Sequence, residues 1–276
     1  MKPNPAARQR PYRRSAAEYD AMFGRGMYGL IRRNFFALLR LYRARAGRVA
    51  DVGCGTGDLA HHLASLGMCV TGVDRSPEMV ALARRKSAGS GARFLVQDCR
   101  SLDLPSPVDV ITCNYDVLNY LMCVEDLERA FRAFHRNLVD HGHLMFDMIA
   151  GLEAPRPTEN RIRTSRRGVL SLWLIRVDQR GERRVAIWHR ITTPSGPRWE
   201  LEVHRQRSYP LSAILAALLR CGFDVLGCHD FETLGRVSRL RPRVSFVARR
   251  SRRCPGRDLR RARRPEPSRT RRRAAP

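Results

Sequence analysis

Apolar runs alternate with amphipathic stretches through the middle of the chain. Short runs typical of buried strands occupy residues 48–54, 68–74, 92–98, 108–114 and 142–150. Between them, residues 58–67, 76–88 and 124–138 place apolar side chains at helical spacing, as in "DLAHHLASLG". Strands that alternate with helices of this length make right-handed crossovers, so the pattern predicts an α/β fold with a doubly wound, mainly parallel sheet.

Further elements flank this core. The segment "EYDAMFGRGMYGLIRRNFFALLRLYR" has apolar residues at helical spacing and predicts lid helices ahead of the first strand. After the fifth strand, residues 168–178, 183–193 and 198–210 alternate as antiparallel strands do, and a helix with two strands then returns to the core sheet. We therefore expect a basic arm (1–15), lid and core (16–149), an antiparallel insertion (150–209), a return to the sheet (210–249) and a tail (250–276).

Length and composition favour one cytoplasmic α/β domain with additions. At 276 residues and 43% hydrophobic content, the chain can bury a sizeable core. No window approaches 18 uninterrupted apolar residues, and the start lacks the apolar stretch of an export signal, so we expect no membrane segment. The eight cysteines form no C-x-x-C pair, which favours reduced thiols and no metal site.

The net charge of +26 raises the question of nucleic acid. Much of it lies at the ends: residues 249–276 carry a net +11 and residues 1–14 a net +5. The tail has no periodic apolar positions, which predicts disorder and unspecific contact with polyanions rather than a specific nucleic-acid substrate. The alternative is an RNA-associated protein that binds through this tail. The sequence does not predict the oligomeric state.

The stretch "VADVGCGTGDLA", residues 49–60, forms the first loop between a strand and a helix. In a doubly wound sheet this loop lies at the carboxyl edge, where ligands bind. The dinucleotide fingerprint G-x-G-x-x-G would need glycine at position 58, where this chain has Asp58, whose charge would repel a pyrophosphate. A nicotinamide-dependent oxidoreductase is therefore the less favoured alternative.

The order G-x-G-x-G, two residues after Asp51, resembles the first motif of the class I S-adenosylmethionine-dependent methyltransferases, and the resemblance covers about residues 19–249. It implies a seven-stranded Rossmann-like sheet and S-adenosylmethionine as cofactor. By the same resemblance Asp74 would bind the ribose hydroxyls, Asp98 and the Cys99 amide the adenine, and Asn114 would border the methionine end. The full set of cofactor-binding residues it implies is Tyr19, Asp51, Gly53, Cys54, Gly55, Gly57, Asp74, Arg75, Asp98, Cys99 and Asn114.

The loop after the fourth strand bears on the acceptor. "NYDVLNYL" lacks the Asn-Pro-Pro-aromatic pattern of enzymes that methylate amines of nucleic-acid bases. Methylation of a cytosine carbon needs a nucleophilic cysteine in the loop, whereas Cys113 lies within the preceding strand. The chain instead resembles small-molecule N- or O-methyltransferases, including the sugar-amine and glycine-type enzymes. Tyr120 is the first catalytic candidate, with Asp116 and Asn119 beside it; a packed aromatic side chain is the alternative for Tyr120.

The insertion resembles the roof of a substrate pocket in those relatives. In "ELEVHRQRSYP" neither alternating face is simply apolar, which predicts a polar pocket wall, with an exposed edge strand protected by charge as the alternative. Arg205 or Arg207 would then pair with an anionic group of a small-molecule acceptor. The substrate-side candidates are Tyr28, His204, Arg205 and Arg207.

Overall fold

The computed structural model describes residues 16–86, 89–151, 158–166, 169–179, 181–193, 196–237 and 243–252. The basic arm predicted for residues 1–15 lies outside the described residues, as does the predicted tail from residue 253 on. Within the described part of the chain, no helix combines the length and the apolar character needed to cross a bilayer.

The described residues form five α-helices and twelve strands. The helices are α1 Ala16–Leu41, α2 Asp58–Ser65, α3 Pro77–Lys86, α4 Val124–Asn137 and α5 Leu211–Arg220. The strands are β1 Arg48–Val52, β2 Cys69–Asp74, β3 Arg93–Val96, β4 Val108–Cys113, β5 Leu138–Gly151, β6 Thr158–Arg166, β7 Val169–Val177, β8 Glu182–Thr193, β9 Gly196–Arg207, β10 Tyr209–Pro210, β11 Phe223–Asp230 and β12 Arg243–Arg250.

Seven strands form the main sheet in the order β11-β12-β5-β4-β1-β2-β3, with the short β10 beside β5. Pairing is parallel from β3 to β5 and antiparallel on both sides of β12. The order reverses between β1 and β4, so the loops after these strands border a crevice at the carboxyl edge. The predicted fold class, a doubly wound and mainly parallel seven-stranded sheet, is confirmed.

Two apolar layers cover the sheet because successive strand residues point to opposite faces. Val49 and Val110 pack with α1, α2 and α3, whereas Ala50 and Ile111 pack with α4 and α5. Local signals at the helix ends agree with the sequence: α3 begins at Pro77, and the hydroxyl of Ser76 accepts the N–H of Met79.

The insertion forms a separate four-stranded antiparallel sheet, in the order β6-β7-β8-β9. We predicted three of these strands and missed β6. Its sequence, "TENRIRTSR", contains one apolar residue, and Glu159, Asn160 and Arg161 are exposed. A strand with a single apolar residue carries no alternating apolar pattern by which it could be recognised.

Candidate active site

Three glycines in the loop after β1 have left-handed backbone conformations. The φ angles of Gly53, Gly55 and Gly57 are +73°, +55° and +82°, where other residues are strained. A Cβ at Gly53 would lie 2.2 Å from Val117, and one at Gly57 would lie 3.0 Å from Ala83. A Cβ at Gly55 would meet nothing within 4 Å, because this residue borders open space.

That space is a cleft with about 1010 Å³ of empty volume, its open mouth included. Its walls come from α1, from the loops at the carboxyl ends of β1 to β4 and from the first turns of α2 and α3. Ten of the eleven residues predicted to bind the cofactor line it, namely Tyr19, Asp51, Gly53, Cys54, Gly55, Asp74, Arg75, Asp98, Cys99 and Asn114. The eleventh, Gly57, packs behind the loop.

Two carboxylates stand beside the glycine loop. Asp51, in β1, is buried, and this burial together with the charge of Asp74 raises the pKa of the Asp51 carboxyl to about 7. Asp74 ends β2 and accepts the backbone N–H groups of Gly55 and Ser76, each at 2.9 Å. Burial also raises the pKa of Asp74. A cationic ligand would relieve this like-charge pair, whereas a phosphate would add to it.

Asp98 lines the cleft where β3 ends, but its carboxylate already has a partner. Oδ1 accepts the backbone N–H of Arg100 at 2.9 Å, and the guanidinium of Arg100 contacts both carboxylate oxygens. Hydrogen bonding from Arg100 lowers the pKa of Asp98. Asp98 is therefore an ionised, oriented acceptor with limited capacity left for a ligand.

The N-terminal part of α1 closes one side of the cleft and is tied down by Asp20. Oδ1 of Asp20 accepts the hydroxyls of Tyr28, at 2.9 Å, and Thr56, at 2.5 Å. The ammonium of Lys86 pairs with the other oxygen of the same carboxylate. These contacts connect α1 to the glycine loop and to α3. They leave Tyr19, a predicted cofactor-binding residue, and Tyr28, a predicted substrate-binding residue, at the cleft wall.

The loop after β4 carries two neighbouring residues with positive φ, Tyr115 at +61° and Asp116 at +68°. The N–H of Tyr115 donates to Asp147 at 2.7 Å. Arg243 contacts Asp147 at 2.5 Å and Asp116 at 2.8 Å, and its guanidinium lies 4.5 Å from the centre of the Tyr115 ring. Asp116 thus belongs to a buried ion-pair network that holds the loop, and it does not line the cleft.

Asn119 has a bridging position. Its side chain is 1% exposed, exchanges two hydrogen bonds with the backbone of Ile149, and donates to the carbonyl of Arg207 at 2.7 Å. It therefore joins the loop to β5 and to the end of β9. The structure does not bring Asn119 to the cleft.

Tyr120 does line the cleft. Its hydroxyl lies 2.6 Å from Nδ1 of His204, in β9, and the guanidinium of Arg75 lies 5.3 Å from the centre of its ring. His204 thereby reaches the site through Tyr120, since His204 itself is buried behind it. Of the three catalytic candidates, Tyr120 alone borders the cleft.

The alternation along β9 divides its polar residues between two environments. Glu202, His204 and Gln206 are buried on the inner face. Arg205 is on the outer face, where it pairs with Glu182 at 2.9 Å, so the structure does not place it where an acceptor could pair with it. Arg207 donates to the carbonyl of Met122 at 2.8 Å and does not line the cleft either.

Sequence reasoning missed most of the apolar wall. Met27, Ile31, Met79, Val117 and Leu121 line the cleft. The sequence position of Met79 could have predicted its place in the wall, because the first turn of α3 closely follows Asp74 at the carboxyl edge of the sheet. Apolar residues elsewhere in the wall looked like core residues in the sequence, and their periodicity does not separate a cleft from a core.

The cleft fits the cofactor of the methyltransferase class. Gly55 offers an open backbone surface, the paired carboxylates suit a ligand with a sulfonium and an ammonium group, and the apolar wall suits an adenine ring. A doubly wound sheet with these features at its carboxyl edge defines an S-adenosylmethionine-dependent methyltransferase.

Comparison with known proteins supports this class. A family described as "Methyltransferase domain" matches residues 49–142. A putative methyltransferase of Geobacillus sp. (strain WCH70) is 30% identical over 246 residues, which cover 87% of this chain and 99% of that protein. The structure of an S-adenosylmethionine-dependent methyltransferase from Clostridium acetobutylicum ATCC 824 superposes with a TM-score of 0.76 at 22% identity, covering 88% of this chain and 100% of that one.

A second solved structure is similar in fold: CalS10, an amino pentose methyltransferase from Micromonospora echinaspora bound to S-adenosylmethionine. It has a TM-score of 0.69 at 23% identity and covers 88% of this chain and 99% of its own. The chain belongs to the class I S-adenosylmethionine-dependent methyltransferases, and S-adenosylmethionine is the cofactor of that family. The oxidoreductase alternative was therefore wrong.

Proposed function

We propose that this enzyme methylates a nitrogen or oxygen atom of a small-molecule acceptor. The observation that carries the proposal is the position of Tyr120, whose phenol borders the cofactor cleft and contacts His204 of the second sheet. When bound, S-adenosylmethionine supplies a methyl carbon that is already activated by the sulfonium. The protein then has to bind both partners, align them and exclude water.

On the cofactor side, we assign each residue by its chemistry. Asp74 is a carboxylate that can accept from two ribose hydroxyls, and its bonds to Gly55 and Ser76 fix its orientation. Gly55 allows the cofactor to approach the backbone closely. Asp51 stabilises the positive charge, and Asp98 with Cys99 holds the adenine edge.

On the acceptor side, Tyr120 offers a hydroxyl for orienting the nucleophile, and Tyr28, in α1, also lines the cleft. The cleft is covered by α1, and the second sheet reaches it through Tyr120 and His204. This enclosure favours a small acceptor. Because CalS10 is an amino pentose methyltransferase, amino-sugar nucleotides belong among the acceptors to be tested.

The test is a screen for turnover. Purified enzyme with S-adenosylmethionine would be incubated with amino-sugar nucleotides, alkylamines and phenols, and the release of S-adenosylhomocysteine measured by a coupled assay. We expect turnover with at least one of these acceptor classes and none with Gly55→Val, which blocks the cofactor cleft. No release by the wild-type enzyme from the whole panel would contradict the proposal.

Truncation separates this function from the RNA-associated alternative. Arg250 belongs to β12 and donates to the carbonyl of Leu138, so a cut at residue 250 would disturb the sheet. Deleting residues 253–276 leaves the described fold complete. We expect the truncated enzyme to keep its turnover of the small acceptor, whereas a need for the tail would favour the alternative.

A further inference from the structure

Three side chains form a continuous line from the cleft into the second sheet. The hydroxyl of Tyr120, at the cleft wall, lies 2.6 Å from Nδ1 of His204. Nε2 of His204 lies 2.8 Å from Oε1 of Glu202, two residues earlier on the same face of β9. The side chains of His204 and Glu202 are each 5% exposed, so solvent does not separate them.

The chemistry of the three groups sets the direction of the hydrogen bonds. A carboxylate can only accept, so an imidazole of His204 that holds a single hydrogen and donates to Glu202 carries it on Nε2 and leaves Nδ1 as an acceptor. Tyr120 then donates its hydroxyl hydrogen to Nδ1, and the lone pairs of its oxygen can accept a hydrogen bond from a group in the cleft. Nε2 and Oε1 lie at ion-pair distance with the N–H at Nε2 poorly aligned to the carboxylate, and hydrogen bonds of catalytic groups tighten when substrate binds.

We propose that Tyr120, His204 and Glu202 relay a proton away from the acceptor, which therefore enters with a proton to lose, as an ammonium ion or a hydroxyl. This inference rests on the proposed function. Tyr120 is the catalytic residue of the relay because it borders the acceptor's space. His204 and Glu202 act through Tyr120 and position it.

Each proton and electron pair in the step is accounted for. The acceptor's proton passes to the oxygen of Tyr120, while the hydrogen of Tyr120 passes to Nδ1 of His204. The resulting imidazolium is stabilised by the carboxylate of Glu202. The freed lone pair of the acceptor forms the new bond to the methyl carbon, and the sulfur–methyl bond breaks with its electron pair remaining on sulfur. His204 returns the proton through Tyr120 to water once product has left.

Other charged and titratable groups surround this line and contribute to its pH dependence. Arg75 stands over the Tyr120 ring from the loop after β2, and Glu200 belongs to β9 itself. From β8, His189 interacts electrostatically with Glu202 and His204, and Arg183 contacts Gln206 at 2.8 Å. Asp116 lies 3.7 Å from Arg183. The experiment therefore changes one residue of the line at a time and leaves these neighbouring charges in place.

The variants are Tyr120→Phe, His204→Asn and Glu202→Gln, with Glu182→Gln as a matched control on the outer side of the same sheet. Turnover would be measured from pH 6 to 10 with the panel member that the wild-type enzyme methylates fastest. We expect kcat at pH 7 to fall about 100-fold or more for Tyr120→Phe and His204→Asn, and about tenfold for Glu202→Gln. Each loss should shrink as the pH approaches the acceptor's own pKa, because the acceptor then arrives deprotonated.

Binding and folding are measured alongside turnover. Calorimetry should show unchanged affinity for S-adenosylmethionine in all four variants, and Glu182→Gln should match the wild type throughout. Should Glu202→Gln melt early, Tyr120→Phe decides the matter, because it keeps the ring and removes only the hydroxyl. A ratio of variant to wild-type kcat that stays constant with pH, or full activity of Tyr120→Phe, would overturn the relay alone. Failure of the wild-type enzyme on every acceptor would instead overturn the proposed function.

Discussion

Replacing Asp51 by asparagine should stabilise the cofactor-free protein, increasingly as the pH rises from about 4 to about 7, and weaken its binding of S-adenosylmethionine. Burial and the nearby charge of Asp74 hold the pKa of Asp51 at about 7, against 3.8 for an unperturbed aspartate. Asparagine has nearly the same shape, carries no charge, and can still accept from the backbone N–H of Ala60, which bonds the carboxylate in the wild type.

The magnitude follows from proton linkage. Because the folded-state pKa is raised, native Asp51 keeps its proton up to about pH 7, while the unfolded chain releases it near pH 4. Wild-type stability therefore falls as the pH rises through this window. At about 1.4 kcal/mol for each unit of pKa, the variant should exceed the wild type by about 2 kcal/mol at pH 5 and about 4 kcal/mol at pH 8. For a chain of this length, 4 kcal/mol corresponds to a rise of roughly 8 °C in melting temperature.

Calorimetric melting at pH 5 to 8, without cofactor, measures this gain, with the exposed Asp103→Asn as a matched control. Titration with S-adenosylmethionine should show the opposite effect. Wild-type affinity should rise with pH because the bound cation favours the ionised carboxylate, and Asp51→Asn should flatten this dependence. A melting difference that does not grow with pH would refute the buried-charge reasoning, whatever the binding result.

Other substitutions test the rest of the site. Asp74→Ala should weaken S-adenosylmethionine binding by about 1 to 3 kcal/mol, since ligand hydroxyls would lose their acceptor; an unchanged dissociation constant by calorimetry would contradict the ribose assignment. Gly55→Val should abolish cofactor binding while circular dichroism shows a folded chain, and normal binding would make the loop merely structural. Arg243→Met should destabilise the protein by about 3 to 5 kcal/mol in urea denaturation, because Asp147 would stay buried without its cation and Asp116 would keep only Arg183, at 3.7 Å; adding Asp147→Asn should restore part of the loss, and no restoration would contradict the ion-pair account.

The cleft at the carboxyl edge of the sheet was predictable from local sequence. Gly53, Gly55 and Gly57 identify a loop with left-handed backbone, and Asp74 and Asp98 each end an apolar run. Parallel pairing brings the carboxyl ends of neighbouring strands to one edge, so residues that are far apart in sequence converge there without any knowledge of side-chain packing. This is why ten of the eleven predicted residues line one cleft.

The surroundings of the proposed acceptor-binding residues were decided by tertiary structure. Period-two alternation sorts the residues of β9 into two sets, one with Glu202 and His204 and one that mixes Val203 with Arg205, so neither set is simply apolar. Only the packing of the second sheet determines that His204 is buried and Arg205 exposed. The network around Tyr115 joins Asp116 to Arg243, 127 residues later, and no local pattern announces such a pair. Sequence by itself determines the periodicity of each element and the residue types at the strand ends. Which face of a strand is buried when neither face is simply apolar, and which distant charges pair, depend on the surfaces that the packed fold removes from water.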